Sequence, residues 1–340
     1  MNKTSLKDKL IAYLENPKTL KDIYPAFRNV KPSTIRGRLN ENVGKCFKRI
    51  SRGVYLATKG DSQCVIIEGD AWDKIKDFED DSIDVIITDP PYSCLDQQML
   101  VGSTRKRNLN RGWKFDTKDF DSELLNNFYR VLKPKGHFYT FLPAIAHDTA
   151  EYNEQIRKLA IDCGFYFHKV VIWDKGHMGM GYHFRNRHET IYFFSKGYIS
   201  AKDLPMTYAD NGSRKCLTKP DVLKHTRPHH TKKIHETEKP VQLLVDILEY
   251  CTEPGDIALD PFGGSLSLAL ACMETKTNAI VIEKDKEMVQ KGMKRVAAHA
   301  PSYENKTNLM VRLYTEENAI QRKTKGVRPI LWIRGLVTSF

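Results

Sequence analysis

The stretch "IITDPPYS", Ile86 to Ser93, sets an acid, two prolines and an aromatic directly after an apolar, β-branched run that reads as a buried strand. A surface turn accepts Asp-Pro, but a second proline removes another backbone donor and stiffens the chain further. Asp89, Pro90, Pro91 and Tyr92 are thus a segment that holds an acid, its carbonyls and a ring in fixed places. Carboxylate and carbonyl oxygens accept hydrogen bonds, so the chemistry on offer is the orientation of a donor group.

A second pointed segment lies near the far end, in "GDIALDPFGGSLSLALACMETKTNAIVIEKDKE". Ile257 to Leu259 read as a strand, Asp260-Pro261-Phe262-Gly263-Gly264 as a tight turn, Leu266 to Met273 as a helix and Ala279 to Ile282 as a second strand. This is the opening βαβ of a doubly wound nucleotide-binding sheet, in which glycines let backbone approach a ligand at the switch point. The second strand ends in Glu283, close to the ~20-residue offset at which an acid reaches ribose hydroxyls in this architecture. An ordinary strand-to-helix turn would also use Gly-Gly; Phe262 and Glu283 together favour an adenosine-containing ligand. The pyrophosphate fingerprint G-x-G-x-x-G is absent, so S-adenosylmethionine fits better than a dinucleotide.

With both segments in view, the chain resembles the amino-group DNA methyltransferases. Their signature is an Asp, Asn or Ser followed by Pro-Pro and an aromatic, together with an F-x-G-x-G motif. "DPPY" matches the first in full, and "FGGSL" matches the second except that Leu266 replaces its last glycine. The catalytic motif precedes the cofactor motif, and "HETEKPVQLL" (His235 to Leu244) stands just ahead of the latter, an order that is similar to the β-class. "EGDAWDKIKDFEDDSIDVIITDPPY", "LLNNFYRVLKPKGHFYTF" and "NRHETIYFFSKG" resemble further segments of the same family, so the likeness spans roughly residues 62 to 295. It implies a cofactor site built from Asp70 at the adenine, Lys239 and Pro240 at the methionine part, Asp260, Pro261, Phe262, Gly263, Gly264 and Ser265 at the turn, and Glu283 and Lys284 at the second strand end.

The resemblance also explains the acid and the prolines. An exocyclic base amine is a poor nucleophile because its lone pair is delocalised into the ring. If the Asp89 carboxylate and the Pro90 carbonyl accept its two N–H bonds, the nitrogen can pyramidalise toward a sulfonium methyl. A target inside a duplex must be flipped out, and Tyr92 offers the face on which the base stacks. Asp at the first motif position in this permuted order implies adenine-N6 as the target; cytosine-N4 is the alternative within the fold, since both amines offer the same two hydrogens. Relatives that methylate RNA or protein glutamine commonly carry Asn-Pro-Pro-Tyr in unpermuted order. In another class altogether, the chain is a DNA-binding regulator whose methyltransferase domain is inactive, with Leu266 as the suspect lesion.

These segments must be carried by an α/β, doubly wound, Rossmann-like sheet over residues 59–340, preceded by a smaller unit over residues 1–58. The first 60 residues hold 14 Lys/Arg against 4 Asp/Glu, which accounts for ten of the chain's twelve net positive charges. Leu6, Leu10, Ile11 and Leu14 have helical spacing, a second helix follows Thr19 as its N-cap, and a third starts at Ser33 with Ile35 and Leu39 facing inward. Two β-rich runs then flank the turn Ser51-Arg52-Gly53. Helix, helix, helix, hairpin is the order of a winged helix-turn-helix, which would offer Thr34, Arg36 and Arg38 to the major groove and Arg52 at the wing tip. A small basic helical cap is the plainer alternative.

Further DNA contacts are expected from the loop 95–118, through Arg105, Lys106, Arg107 and Arg111, and from the region 198–235, through Arg214, Lys215 and Arg227. The latter holds His225, His229, His230 and His235 without a pairing scheme for a metal, and no metal site is expected. The glycine-rich Lys175 to Glu189 segment reads as a loop over the active site. Seven cysteines without a C-x-x-C pair suggest neither zinc nor a disulfide framework and fit a reducing cytoplasm; no apolar run offers a membrane span. A pI of about 9.2 agrees with a double-stranded DNA partner. A homodimer and a separate restriction endonuclease are partners that the family allows.

Overall fold

The computed structural model describes residues 5–14, 18–41, 47–51, 54–57, 62–91, 119–145, 147–179, 184–200, 203–204, 206–208, 214–216, 218–227, 238–299 and 310–314. The N-terminal part runs α1 (Leu6–Tyr13), β1 (Lys18–Thr19), α2 (Leu20–Ala26), α3 (Pro32–Glu41), β2 (Phe47–Ser51) and β3 (Val54–Ala57). Leu10, Leu14, Ile35 and Leu39 are fully buried, as their spacing predicts, and Ile23 of α2 joins them, with Leu6 partly buried beside them. Thr19 caps α2 reciprocally: its hydroxyl accepts from the Asp22 N–H at 3.3 Å while the Asp22 carboxylate accepts from the Thr19 N–H at 3.0 Å. β2 and β3 form the antiparallel hairpin, and β1 adds to β3 as a third strand. A two-residue strand has no periodicity, so β1 leaves no trace in the sequence.

The remainder runs β4 (Gln63–Glu68), α4 (Ala71–Lys74), β5 (Ile83–Thr88), α5 (Ser122–Val131), β6 (Leu132–Leu142), α6 (His147–Asp162), β7 (Tyr166–Asp174), β8 (His188–Ser195), β9 (Met206–Tyr208), β10 (Arg214–Cys216), β11 (Val222–Lys224), α7 (Val241–Cys251), β12 (Ile257–Asp260), α8 (Ser267–Thr275), β13 (Asn278–Glu283), α9 (Lys286–His299) and β14 (Met310–Tyr314). Nine strands form one sheet in the order β11-β7-β8-β6-β5-β12-β13-β4-β14. All neighbouring pairs are parallel except those made by β8, which runs against β6 and β7.

Strand alternation sorts the core into two layers. Val65, Ile67, Ile86, Ile280 and Ile282 point to the face covered by α4, α5 and α6, while Cys64, Ile66, Val85, Ile87, Ala279 and Val281 point to the face covered by α7, α8 and α9. Both faces are buried, which is why these strands read as near-continuous apolar runs. Helix α8 lies at the centre of its layer, buried from Ser267 through Met273, and is correspondingly apolar on every side.

From β5 the chain passes to β6 on one side, and from β12 to β13 on the other. The switch point of the sheet therefore lies between β5 and β12, and both pointed segments of the sequence leave the sheet there. The region 198–235 is partly structural: β9 and β10 make a hairpin, and β11 is an edge strand of the main sheet with Leu223 buried. β14 closes the other edge, beside β4. No helix among the described residues is long and apolar enough to cross a membrane.

Candidate active site

Asp89 follows the last residue of β5, and Asp260 ends β12, its parallel neighbour. Pro90 is buried and Asp89 half-buried, so the turn is anchored while its acid stays partly accessible. Asp260 turns back on its own loop, its Oδ1 accepting from the Phe262 N–H at 3.0 Å. Burial pushes the Asp260 carboxyl up to about 7, and the nearby charges of Asp89 and Glu283 add to the rise.

The glycine turn is shaped by what surrounds it. A Cβ on Gly263 would lie 2.1 Å from Val281 Cγ1, so the backbone can pass β13 only without a side chain. Gly264 has φ +47°, and a Cβ there would meet nothing within 4 Å, so its outer side faces open space. Glu283 closes the turn: Oε2 accepts from the Gly264 N–H at 2.6 Å and Oε1 from the Asp285 N–H at 2.7 Å. Burial raises the Glu283 carboxyl above its ordinary range. Phe262 packs edge-on against Trp72 at 5.5 Å between ring centroids and lies 6.2 Å from the Phe120 ring.

Leu266, where the resemblance predicts glycine, adopts the left-handed conformation with φ 57° and ψ 31° and is fully buried. The loop therefore keeps a glycine-like backbone under a leucine. Space for the side chain comes from helix α9, where a Cβ on Gly292 would sit 2.4 Å from Leu266 Cγ. Behind the turn, Arg295 donates to the Ser265 carbonyl at 2.9 Å and pairs with the buried Glu238 at 2.6 Å.

Two of the residues expected at the cofactor, Asp70 and Lys284, meet each other at 3.2 Å. Asp70 also N-caps α4, its Oδ1 accepting from the Trp72 N–H at 3.0 Å. The open side of Gly264, the Glu283 carboxylate, whose oxygens each retain a lone pair, and the Trp72–Phe262 wall suit a nucleoside with free ribose hydroxyls. Lys239, which the resemblance implies at the methionine part of the cofactor, stands at the catalytic acid. Its ammonium is ion-paired with Asp89 Oδ2 and lies 3.4 Å from Glu189 Oε2. Glu189, on β8, also takes Lys175 at 3.3 Å and Arg227 at 2.5 Å through Oε1.

That cluster was only partly legible. Arg227, which the sequence offers to DNA, holds Glu189 here with its side chain still exposed, while Glu189 and Lys175 carry no motif of their own; the sole signal was their inclusion in "NRHETIYFFSKG" and in the glycine-rich segment. His225 pairs with Asp246 at 2.7 Å. In the N-terminal part Thr34, Arg36 and Arg38 are exposed on α3, and Arg36 donates to the Tyr24 hydroxyl at 2.9 Å. Tyr92, Arg52, Arg105, Lys106, Arg107, Arg111, His229, His230 and His235 lie outside the described residues, as do the side chains of Arg214 and Lys215.

Comparison with known proteins agrees with this geometry. A DNA methylase family profile matches residues 83–294, from the start of β5 into α9. The type II methyltransferase M.HpaI of Haemophilus parainfluenzae is 28% identical over 272 residues, which cover 76% of this chain and 82% of that one. The DNA adenine methyltransferase YhdJ of Escherichia coli is 28% identical over 268 residues, covering 71% and 85%. Among solved structures, TTHA0409 of Thermus thermophilus complexed with S-adenosyl-L-methionine superposes with a TM-score of 0.51 at 18% identity, covering 74% of this chain and 99% of that one. The cytosine-N4-specific PvuII DNA methyltransferase also gives 0.51 at 18% identity, covering 74% and 95%.

Proposed function

The chain belongs to the DNA methylase family, and from that membership we propose that it transfers the methyl group of S-adenosylmethionine to the N6 amine of an adenine flipped out of double-stranded DNA. The observation that carries the reading is the meeting of the Asp89 turn and the Gly263–Gly264 turn at one switch point, within the residues that the family profile covers. The choice of adenine is supported by Asp at position 89 and by the likeness to an adenine methyltransferase.

In this reading Phe262 and Trp72 wall the adenosine, the open side of Gly264 lets it approach backbone, and Glu283 accepts from the ribose hydroxyls while holding the turn. The cofactor, when bound, supplies a methyl group made electrophilic by a sulfonium. Asp89 accepts one N–H of the target amine and the Pro90 carbonyl the other, which aims the nitrogen lone pair and stabilises the positive charge that develops there. The lone pair forms the N–C bond, the C–S pair stays on sulfur, and the nitrogen releases one proton to solvent. Tyr92 stacks on the flipped base. The N-terminal 58 residues act as a winged helix-turn-helix with Thr34, Arg36 and Arg38 of α3 toward the groove.

The test is to incubate purified protein with S-adenosylmethionine and unmethylated DNA, then identify the nucleosides by mass spectrometry. N6-methyladenine is the expected product. N4-methylcytosine would keep the chemistry and overturn the base, and an unmodified digest would favour a DNA-binding regulator.

A further inference from the structure

Building on the methyl-transfer reading, we infer that Lys239 and Glu189 form a positioning pair for the catalytic acid, with Lys239 setting the direction of the Asp89 carboxylate and Glu189 fixing Lys239. An aspartate just past the end of a strand has two side-chain torsions to settle, and the stiffness of Pro90 and Pro91 restrains the backbone, that of Asp89 included, but not the side chain. Something must fix the carboxylate itself, and the Lys239 ammonium on Oδ2 is a charged contact able to do so. Each carboxylate oxygen accepts more than one hydrogen bond, so this contact is compatible with an amine N–H on the same carboxylate.

Lys239 is held from every side that would let it wander. It stands immediately before Pro240, the residue that N-caps α7, so its backbone is tied to a helix start. Its ammonium lies 4.9 Å from the centroid of the Phe141 ring and 6.0 Å from that of Trp173, both buried. Glu189 approaches it at 3.4 Å and is itself secured by Lys175 and Arg227. Four separate stretches, the ends of β7 and β11, the start of β8 and the entry to α7, thus converge behind one acid. Burial alone would push the Lys239 ammonium down, yet Asp89 and Glu189 hold it above the ordinary lysine range, so it is a cation here. Burial would likewise raise Glu189, but Lys239, Lys175 and Arg227 bring it down to about 2.

The placement separates two roles for Lys239. A lysine that held the methionine part of the cofactor would, when removed, weaken cofactor binding. One that orients Asp89 would leave that affinity intact and slow the transfer, since a misplacement on the order of 1 Å at the reacting centre costs about 10²-fold in rate. Glu189 acts through Lys239, so its loss is expected to slow transfer less, by about tenfold.

The experiment compares Lys239→Met, Lys239→Arg, Glu189→Gln and Asp89→Asn with the parent in single-turnover methylation and in calorimetric titration with S-adenosylmethionine. For Lys239→Met we expect a fall of about 10²-fold in the single-turnover rate at saturating cofactor, an unchanged cofactor Kd and partial recovery in Lys239→Arg. In an Asp89→Asn background, Lys239→Met should add little further loss. Glu189→Gln carries the test if Lys239→Met does not fold. Weaker cofactor binding with an unchanged saturating rate, or full additivity of the Asp89 and Lys239 losses, would overturn the positioning role. A parent that binds cofactor and DNA but transfers no methyl group would overturn the methyl-transfer reading beneath it.

Discussion

Asp260 shows how the switch point alters individual side chains. Its carboxyl is raised by burial from the ordinary 3.8 to about 7, so between those two pH values the folded protein binds a proton that the unfolded chain has released. The contribution of this group to stability therefore falls as pH rises through that window and levels off above it. Asp260→Asn removes the penalty: calorimetric unfolding should show a clear gain in Tm at pH 8 and a much smaller change at pH 5. Equal shifts at both would show that the buried charge is not its source. Glu283 makes a different residue-scale prediction. Both of its oxygens accept backbone N–H bonds, and Glu283→Gln would set an amide against one of those donors. An unmet donor in this part-buried turn costs about 1–3 kcal/mol, so denaturant unfolding should show the variant destabilised by about that amount, and an unchanged stability would contradict the role of Glu283 in closing the turn. These acids were legible because each ends an apolar run at a motif, whereas Glu189 was not, because its partners come from three other stretches of chain.

Between elements, the packing of α9 against the glycine turn decides whether the left-handed leucine can be kept. A left-handed non-glycine residue costs about 1–2 kcal/mol, while deleting a buried leucine side chain costs about 2–5 kcal/mol. Leu266→Gly should therefore destabilise the fold even though it relaxes the backbone. Gly292→Ala would drive a methyl group to 2.4 Å from Leu266 Cγ. It should cost about 1–3 kcal/mol in the parent and close to nothing beside Leu266→Gly. Denaturant unfolding of the four proteins in this cycle would check the coupling, and additive losses would contradict it. The sequence displayed Leu266 as a departure from F-x-G-x-G; it could not display the compensation, because Gly292 lies a helix, a strand and half of a second helix away. The β12–α8–β13 unit was legible to within two residues at each boundary, since its apolar runs are continuous and are bounded by a proline-glycine turn and by polar residues. β9, β10 and β11 were not, because three residues define no period and the surrounding composition is polar.

Across the whole chain, charge is divided unevenly: the first 60 residues hold ten of the twelve net positive charges. In the proposed reading this surplus grips phosphates, so that the protein finds DNA electrostatically and acts on one base locally. If α3 is the reading helix, Arg38→Ala should weaken DNA binding, with the slope of affinity against salt reduced by about one if its contact is to phosphate. Fluorescence anisotropy over a salt series would check it, and an unchanged affinity and slope would return the N-terminal part to the role of a basic cap. The central claim, that the Asp89 turn and the glycine turn form a methyl-transfer site, is tested most directly in a host without DNA methylation. Plasmid from cells expressing the parent chain or Asp89→Ala is digested and its nucleosides are analysed by mass spectrometry. The account predicts N6-methyladenine with the parent and none with the variant; equal modification by both would contradict it.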